Sequence, residues 1–132
     1  RLDRLREMQD VFEVQNHSWN LHEYSERRGC LRRRGEDETR YETLLREDTE
    51  QTQTLITDAG LPAPTCYTYP FGACSKESET LLKSMGFRCT LGCEERVNTV
   101  TRNPDCLFEL GRFNRPAGQS TESFLHRALG ED

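Results

Sequence analysis

No apolar run in this sequence is long enough to cross a membrane, and 31% charged against 33% hydrophobic residues makes it polar for a folded chain. The charged start does not read as a signal peptide. Because the first residue is Arg1 rather than Met, the chain reads as a processed one, and a leader or an upstream segment stays open. A Gly-x-Ser-x-Gly elbow is missing, which leaves Ser18 and His22 a poor nucleophile and base for a serine hydrolase. An excess of basic charge is missing too: 18 Lys and Arg against 23 Asp and Glu give a net charge of -5, so general affinity for nucleic acid is not expected. Tryptophan and histidine are scarce, at one and three residues. Internal repeats and low-complexity segments are absent, and 132 residues fit a single segment, 1–132, with a modest core.

Basic charge is concentrated locally at Arg27, Arg28, Arg32, Arg33 and Arg34, around Gly29 and Gly35. A solvated, mobile loop is the plain reading; steering of an anionic polymer, with salt-dependent binding, is the alternative. The six cysteines (Cys30, Cys66, Cys74, Cys89, Cys93 and Cys106) suit disulfides in an oxidising compartment or small apolar side chains in a reducing one. Cys89-x-x-x-Cys93 lacks the two-residue spacing of a zinc knuckle.

Helical spacing of Leu2, Leu5, Met8 and Phe12 predicts an N-terminal helix to about Asp10, and Val11 to Val14 a short strand. Residues 23–37 read as a loop. A long helix is predicted from a capping box at Thr39, with Tyr41, Leu44, Leu45, Asp48, Thr52, Leu55, Ile56 and Ala59 on one face. It stops at Gly60 and Pro62. Strands follow at 65–69 and 87–91, separated by a helix capped by Ser75 and closed by Gly86. A further strand at 107–110 and a last helix capped by Ser120 complete the chain. This alternation predicts an α/β fold with mainly parallel strands. About four strands do not close a barrel that needs about eight, but they can form part of one.

Two of the three histidines, His17 and His22, lie five residues apart in Asn16-His17-Ser18-Trp19-Asn20-Leu21-His22, directly after the predicted strand. Imidazoles at a strand end can converge on one metal ion; surface or core histidines are the bland alternative. Tyr69-Pro70-Phe71-Gly72 ends the next strand in what could simply be a tight turn. Leu81-Leu82-Lys83-Ser84-Met85-Gly86-Phe87 and Phe108-Glu109-Leu110-Gly111-Arg112-Phe113-Asn114-Arg115-Pro116 follow in order. Together these segments resemble the polysaccharide deacetylases, the NodB-like family 4 carbohydrate esterases, over nearly the whole chain.

That resemblance implies a portion of a distorted (β/α) barrel of the NodB-homology type, with its first strands missing from this chain. It implies metal-dependent hydrolysis of N-acetyl groups on a peptidoglycan- or chitin-like polysaccharide. His17 and His22 would bind a divalent metal, zinc foremost, while Ser18 sets the loop. The backbone N–H of Phe71 would stabilise the oxyanion, and Trp19, Tyr69, Pro70 and Arg112 would contact sugar. The chain departs from the family pattern in places. The histidine step is one residue longer than the commoner one, and Thr68 stands where an Arg usually orients the base. The Asp-Asp motif that supplies base and third ligand is missing; Asp3 and Asp10 fall in a helical pattern. The late Leu-x-His motif is missing as well, leaving His126 as a general-acid candidate or a plain surface residue. These departures carry an alternative, a degenerate member that binds glycan without turnover. Uncovered sheet edges would permit a homo-oligomer. A bacterial cell-surface or secreted location is favoured by the resemblance, with the cytoplasm left open.

Overall fold

Two short parallel strands, β1 (Cys66–Thr68) and β2 (Cys89–Leu91), form the centre of the molecule, with Cys66 opposite Cys89 and Tyr67 opposite Thr90. The computed structural model describes residues 2–24 and 26–130. Asn16 pairs in parallel with Tyr67 on one side of this ladder, and Leu110 with Leu91 on the other. Parallel pairing needs a crossover, and the long helix α2 (Glu38–Asp58) and α3 (Lys76–Ser84) supply two of them. The α/β class and the parallel strands agree with the sequence pattern.

Tyr67, Tyr69, Leu81, Leu82 and Phe87 join Tyr41 and Leu45 of α2 in one buried core on the helix side. On the other face the alternate residues Cys66, Thr68, Cys89 and Leu91 are only half-buried. The helix stop is as expected: Gly60 is left-handed (φ 76°), and Leu61 N–H reaches back to the Ile56 carbonyl at 3.2 Å. The start differs. Asp37, not Thr39, caps α2 by accepting from Arg40 N–H at 2.9 Å, because it is the extended residue just before the first helical one, Glu38, while Thr39 already lies inside the helix. Ser75 and Ser120 cap α3 and α4 (Thr121–Leu129) as their sequence positions predict.

Of two further predicted strands, Val11–Val14 forms no pairing and 107–110 keeps only the bridge at Leu110. The first helix, α1, spans Leu2–Glu7, short of Asp10, and the side chain of Leu2 lies outside the described residues. Val11 and Phe12 donate their N–H groups back to the Met8 carbonyl, so those donors are used within turns, and both side chains stay exposed. The Gln15 side-chain carbonyl then accepts from Thr65 and Cys66 N–H, at 2.9 and 2.8 Å, in place of a strand partner. Pairing begins only at Asn16. At 107–110, Pro104 opens a 3-10 turn over Pro104–Leu107, and Glu109 takes a left-handed φ of 57°, so only Leu110 is free to pair.

The arginine-rich stretch, expected to be a solvated loop, is folded around internal ion pairs. Arg27 and Glu36, with side chains only 6% and 10% exposed, form a bidentate pair. Arg32 binds Glu77 and Glu38, and Arg33 binds Glu26. Cys30 is wholly buried, and Tyr41 Oη donates to its carbonyl at 2.7 Å. All six cysteines are free. Burial pushes the thiols of Cys30 and Cys74 up to about 12, so neither supplies the reactive thiolate at neutral pH.

A thiol-specific disulfide reagent should therefore modify exposed Cys93 first and Cys30 only on unfolding, as mass spectrometry of partially labelled protein would show; early labelling of Cys30 would contradict its burial. Glu36→Gln should cost about 3 kcal/mol at neutral pH, because it removes the carboxylate charge that faces the buried guanidinium of Arg27. The Arg27 hydrogen bonds hold the Glu36 carboxyl below its ordinary value. Its contribution is thus complete above the unfolded carboxylate pKa and is lost as pH falls through the lowered folded one. Urea denaturation at neutral and strongly acidic pH should show the gap between the two proteins closing in acid.

Candidate active site

His17 follows the Asn16 bridge at the C-terminal end of the sheet, where parallel α/β folds place their sites. Asn16 is fully buried and all its groups are used. Its Nδ2 donates to the Thr49 carbonyl (3.2 Å) and Gln53 Oε1 (3.1 Å) on α2, and its Oδ1 accepts from Ser18 N–H (2.9 Å). Its main chain meanwhile accepts from Thr68 N–H and donates to the Cys66 carbonyl. This bonding turns the chain at Ser18, whose φ of 70° is left-handed.

The turn is held from α2 as well. Both carboxylate oxygens of Asp48 accept backbone hydrogen bonds, from Trp19 N–H at 3.0 Å and Asn20 N–H at 2.7 Å. Burial pushes the Asp48 carboxyl above its ordinary value, while these two donors pull it back. Leu21 N–H closes the turn onto Ser18 Oγ at 3.2 Å.

His17 Nδ1 lies 2.7 Å from the Thr68 carbonyl oxygen. A carbonyl only accepts, so Nδ1 carries the proton and Nε2 keeps its lone pair for a ligand. The His22 ring is 5.0 Å from that of His17, centroid to centroid, and 4.4 Å from Phe71. Tyr24, 94% exposed, lies on the other flank of Phe71 at 4.7 Å. Phe71 is left-handed (φ 58°, ψ 12°) within the 3-10 turn Pro70–Gly72. It is held there from below by Gly29, where a Cβ would come within 2.4 Å of the Pro70 carbonyl oxygen.

The structure thus brings His17, His22 and Phe71 together, with Tyr24 added. The other candidates lie elsewhere. Tyr69 and Pro70 are fully buried, Tyr69 edge-on to Tyr67, so neither has surface to offer a sugar; the strand that carries them turns these side chains into the core. Trp19 projects over α2 beside Glu50 and Leu55, since Asp48 draws its backbone that way. Arg112 binds the Gly92 carbonyl (2.8 Å) and Cys93 Sγ (3.1 Å), in a depression lined also by Glu95 and Asn114. His126 is exposed on α4, and Arg127 fastens that helix to Glu95. Among the described residues no third His, Cys, Asp or Glu joins the two histidines in a ligand set. The pair therefore fits two positions of a metal site and leaves the others to be supplied. Asn16, Asp48 and Tyr24 were not singled out by motif; a lone carboxylate on the apolar stripe of α2 was the one available signal, for Asp48.

This is an α/β half-fold with a paired-imidazole site at its strand ends. The polysaccharide deacetylase family model matches residues 2–90, and the chain belongs to that family. No curated protein matches it closely enough to serve as a relative. Among solved structures it is similar to the deacetylase domain of BpsB from Bordetella bronchiseptica, with 23% identity and a TM-score of 0.67 over 84% of this chain and 47% of that one. A de-N-acetylase from Aggregatibacter actinomycetemcomitans matches with 16% identity and a TM-score of 0.71, covering 95% of this chain and 52% of its own. IcaB from Ammonifex degensii gives 18% and 0.70, covering 97% and 50%. At these identities the likeness establishes the fold. The chain spans about half the length of these structures. No described helix is long and apolar enough to cross a membrane.

Asp48→Ala should expose the Trp19 and Asn20 amides and destabilise the fold by about 1–3 kcal/mol. Hydrogen exchange would show both amides speeding up while β1 stays protected; unchanged exchange would remove Asp48 from its role in holding the turn.

Proposed function

We propose that this chain carries part of the active site of a metal-dependent deacetylase that removes N-acetyl groups from a polysaccharide. The observation that carries this reading is the His17 Nδ1–H bond to the Thr68 carbonyl, which fixes the ring beside His22, itself against Phe71, and leaves Nε2 as the nitrogen for a ligand. His17 and His22 are two ligands of a divalent ion, zinc being the natural occupant of such nitrogen donors, and a carboxylate from outside the described residues completes the set. Such an ion supplies an activated water and polarises the acetamide carbonyl.

The chain's own residues orient the substrate. Phe71 stands early in a helical turn, where an N–H has no carbonyl of its own turn to bind, and that N–H receives the charge developing on the carbonyl oxygen. Tyr24, backed by Phe71, presents a ring face to a sugar. His126 has no part in this reading. The half-buried sheet face and the single-bridge edges at Asn16 and Leu110 fit one segment of a larger barrel, completed by further strands or by a second copy.

Zinc titration of the chain beside His17→Ala and His22→Ala tests this. Saturable binding near one ion per site, weakened at least about tenfold by either substitution, is expected. Absence of uptake by the unaltered chain would sink the metal assignment. Glycan binding with no acetate released at any zinc concentration would favour the degenerate, binding-only alternative.

A further inference from the structure

The only tryptophan of the chain is not used in the ring cluster. Trp19 is 53% exposed beside an open groove of about 380 Å³ on the outer face of α2. Glu50, Gln51, Thr54, Leu55 and Asp58 line that groove, on one helical face by their spacing. Leu55 is 42% exposed, an apolar patch beside the indole, and the groove has carboxylates and no cation among its lining residues. The Trp19 backbone is fixed by Asp48, so the indole stands on a held stem two residues past His17.

We propose that this groove is a second saccharide-binding surface, selective for chains of cationic 2-amino sugars over their N-acetylated forms. A pyranose has an apolar face that stacks on an indole, and its hydroxyls match the Gln51 and Thr54 side chains. Only a free amine, protonated, adds attraction to the indole face and to Glu50 and Asp58. An N-acetyl group is neutral and forgoes both terms. The proposal rests on the saccharide reading of the histidine site only for its ligand class. It adds that the chain retains the kind of polymer that removal of acetyl groups produces.

Trp19 is its own probe, because no other tryptophan contributes to the emission. Glucosamine oligomers at mildly acidic pH and low salt should shift Trp19 fluorescence saturably. N-acetylglucosamine oligomers, or the exposed-surface variant Glu50→Gln/Asp58→Asn, should bind about fivefold or more weakly. His17→Ala/His22→Ala should respond like the unaltered chain, so a failure of the metal reading leaves this result standing. Absence of a shift, equal binding of both oligomers, or full binding by the carboxylate variant would overturn the proposal. So would loss of the response in the histidine variant, which would place the sugar at the ring cluster.

Discussion

The histidine turn depends on the satisfied amide of Asn16. A buried side-chain amide left unbonded costs about 1–3 kcal/mol, and Asn16 avoids that cost only when three partners are present together: Thr49 and Gln53 on α2, and Ser18 in the turn. Its main chain adds the pairing to β1. One residue therefore ties helix, sheet and turn to a single geometry, and His17 inherits its position as the next residue along. Asp48 repeats the arrangement one turn of helix away, with a carboxylate in place of an amide.

The far side of the cluster is supported by different means. Phe71 is held in a left-handed conformation between Pro70, which limits the backbone before it, and the close approach of Gly29 from below. Gly29 is in turn fixed by the loop whose charges close on themselves through Arg27 and Glu36, and by Cys30, whose N–H donates to the Ala73 carbonyl at 2.9 Å. Through the Arg27–Glu36 pair the arginine-rich loop thus supports the site structurally. Net charge at a sequence position says little until the acidic partners are located, and here they lie up to 45 residues away.

What the sequence made legible was whatever local pattern decides. The Gly60 stop of α2, the serine caps of α3 and α4, and the β-prone cores at Cys66 and Cys89 formed as read. The stripe of α2 held at Tyr41, Leu45, Asp48 and Ile56 but left Leu55 exposed and buried Thr49 instead. The misreadings at Val11–Val14 and Leu107–Leu110 have one cause: β-prone residues state a preference, but a strand needs a partner, and Gln15 or Glu109 removed it. In the site, His17, His22 and Phe71, whose rings lie together, were picked out by their motifs. Asn16 and Asp48 were not, since an amide or carboxylate shows its role only once the groups it bonds are brought near. Tyr69 and Pro70 were assigned to sugar by type, yet both side chains are buried, while Trp19 is exposed but stands over α2, away from the ring cluster.

The bond from His17 to Thr68 joins residues 51 positions apart, with the whole of α2 between them. Closing so long a connection fixes chain entropy before any contact repays it, so parallel pairings of this kind form late. The buried apolar cluster has no member before Cys30, so the N-terminal segment joins the fold chiefly through polar bonds to α2 and β1. An element that arrives last and is held by a few polar contacts is also the first to leave in local opening. Exposure of the histidine rings is therefore a matter of the kinetics of this docking, not only of the shape of the docked state.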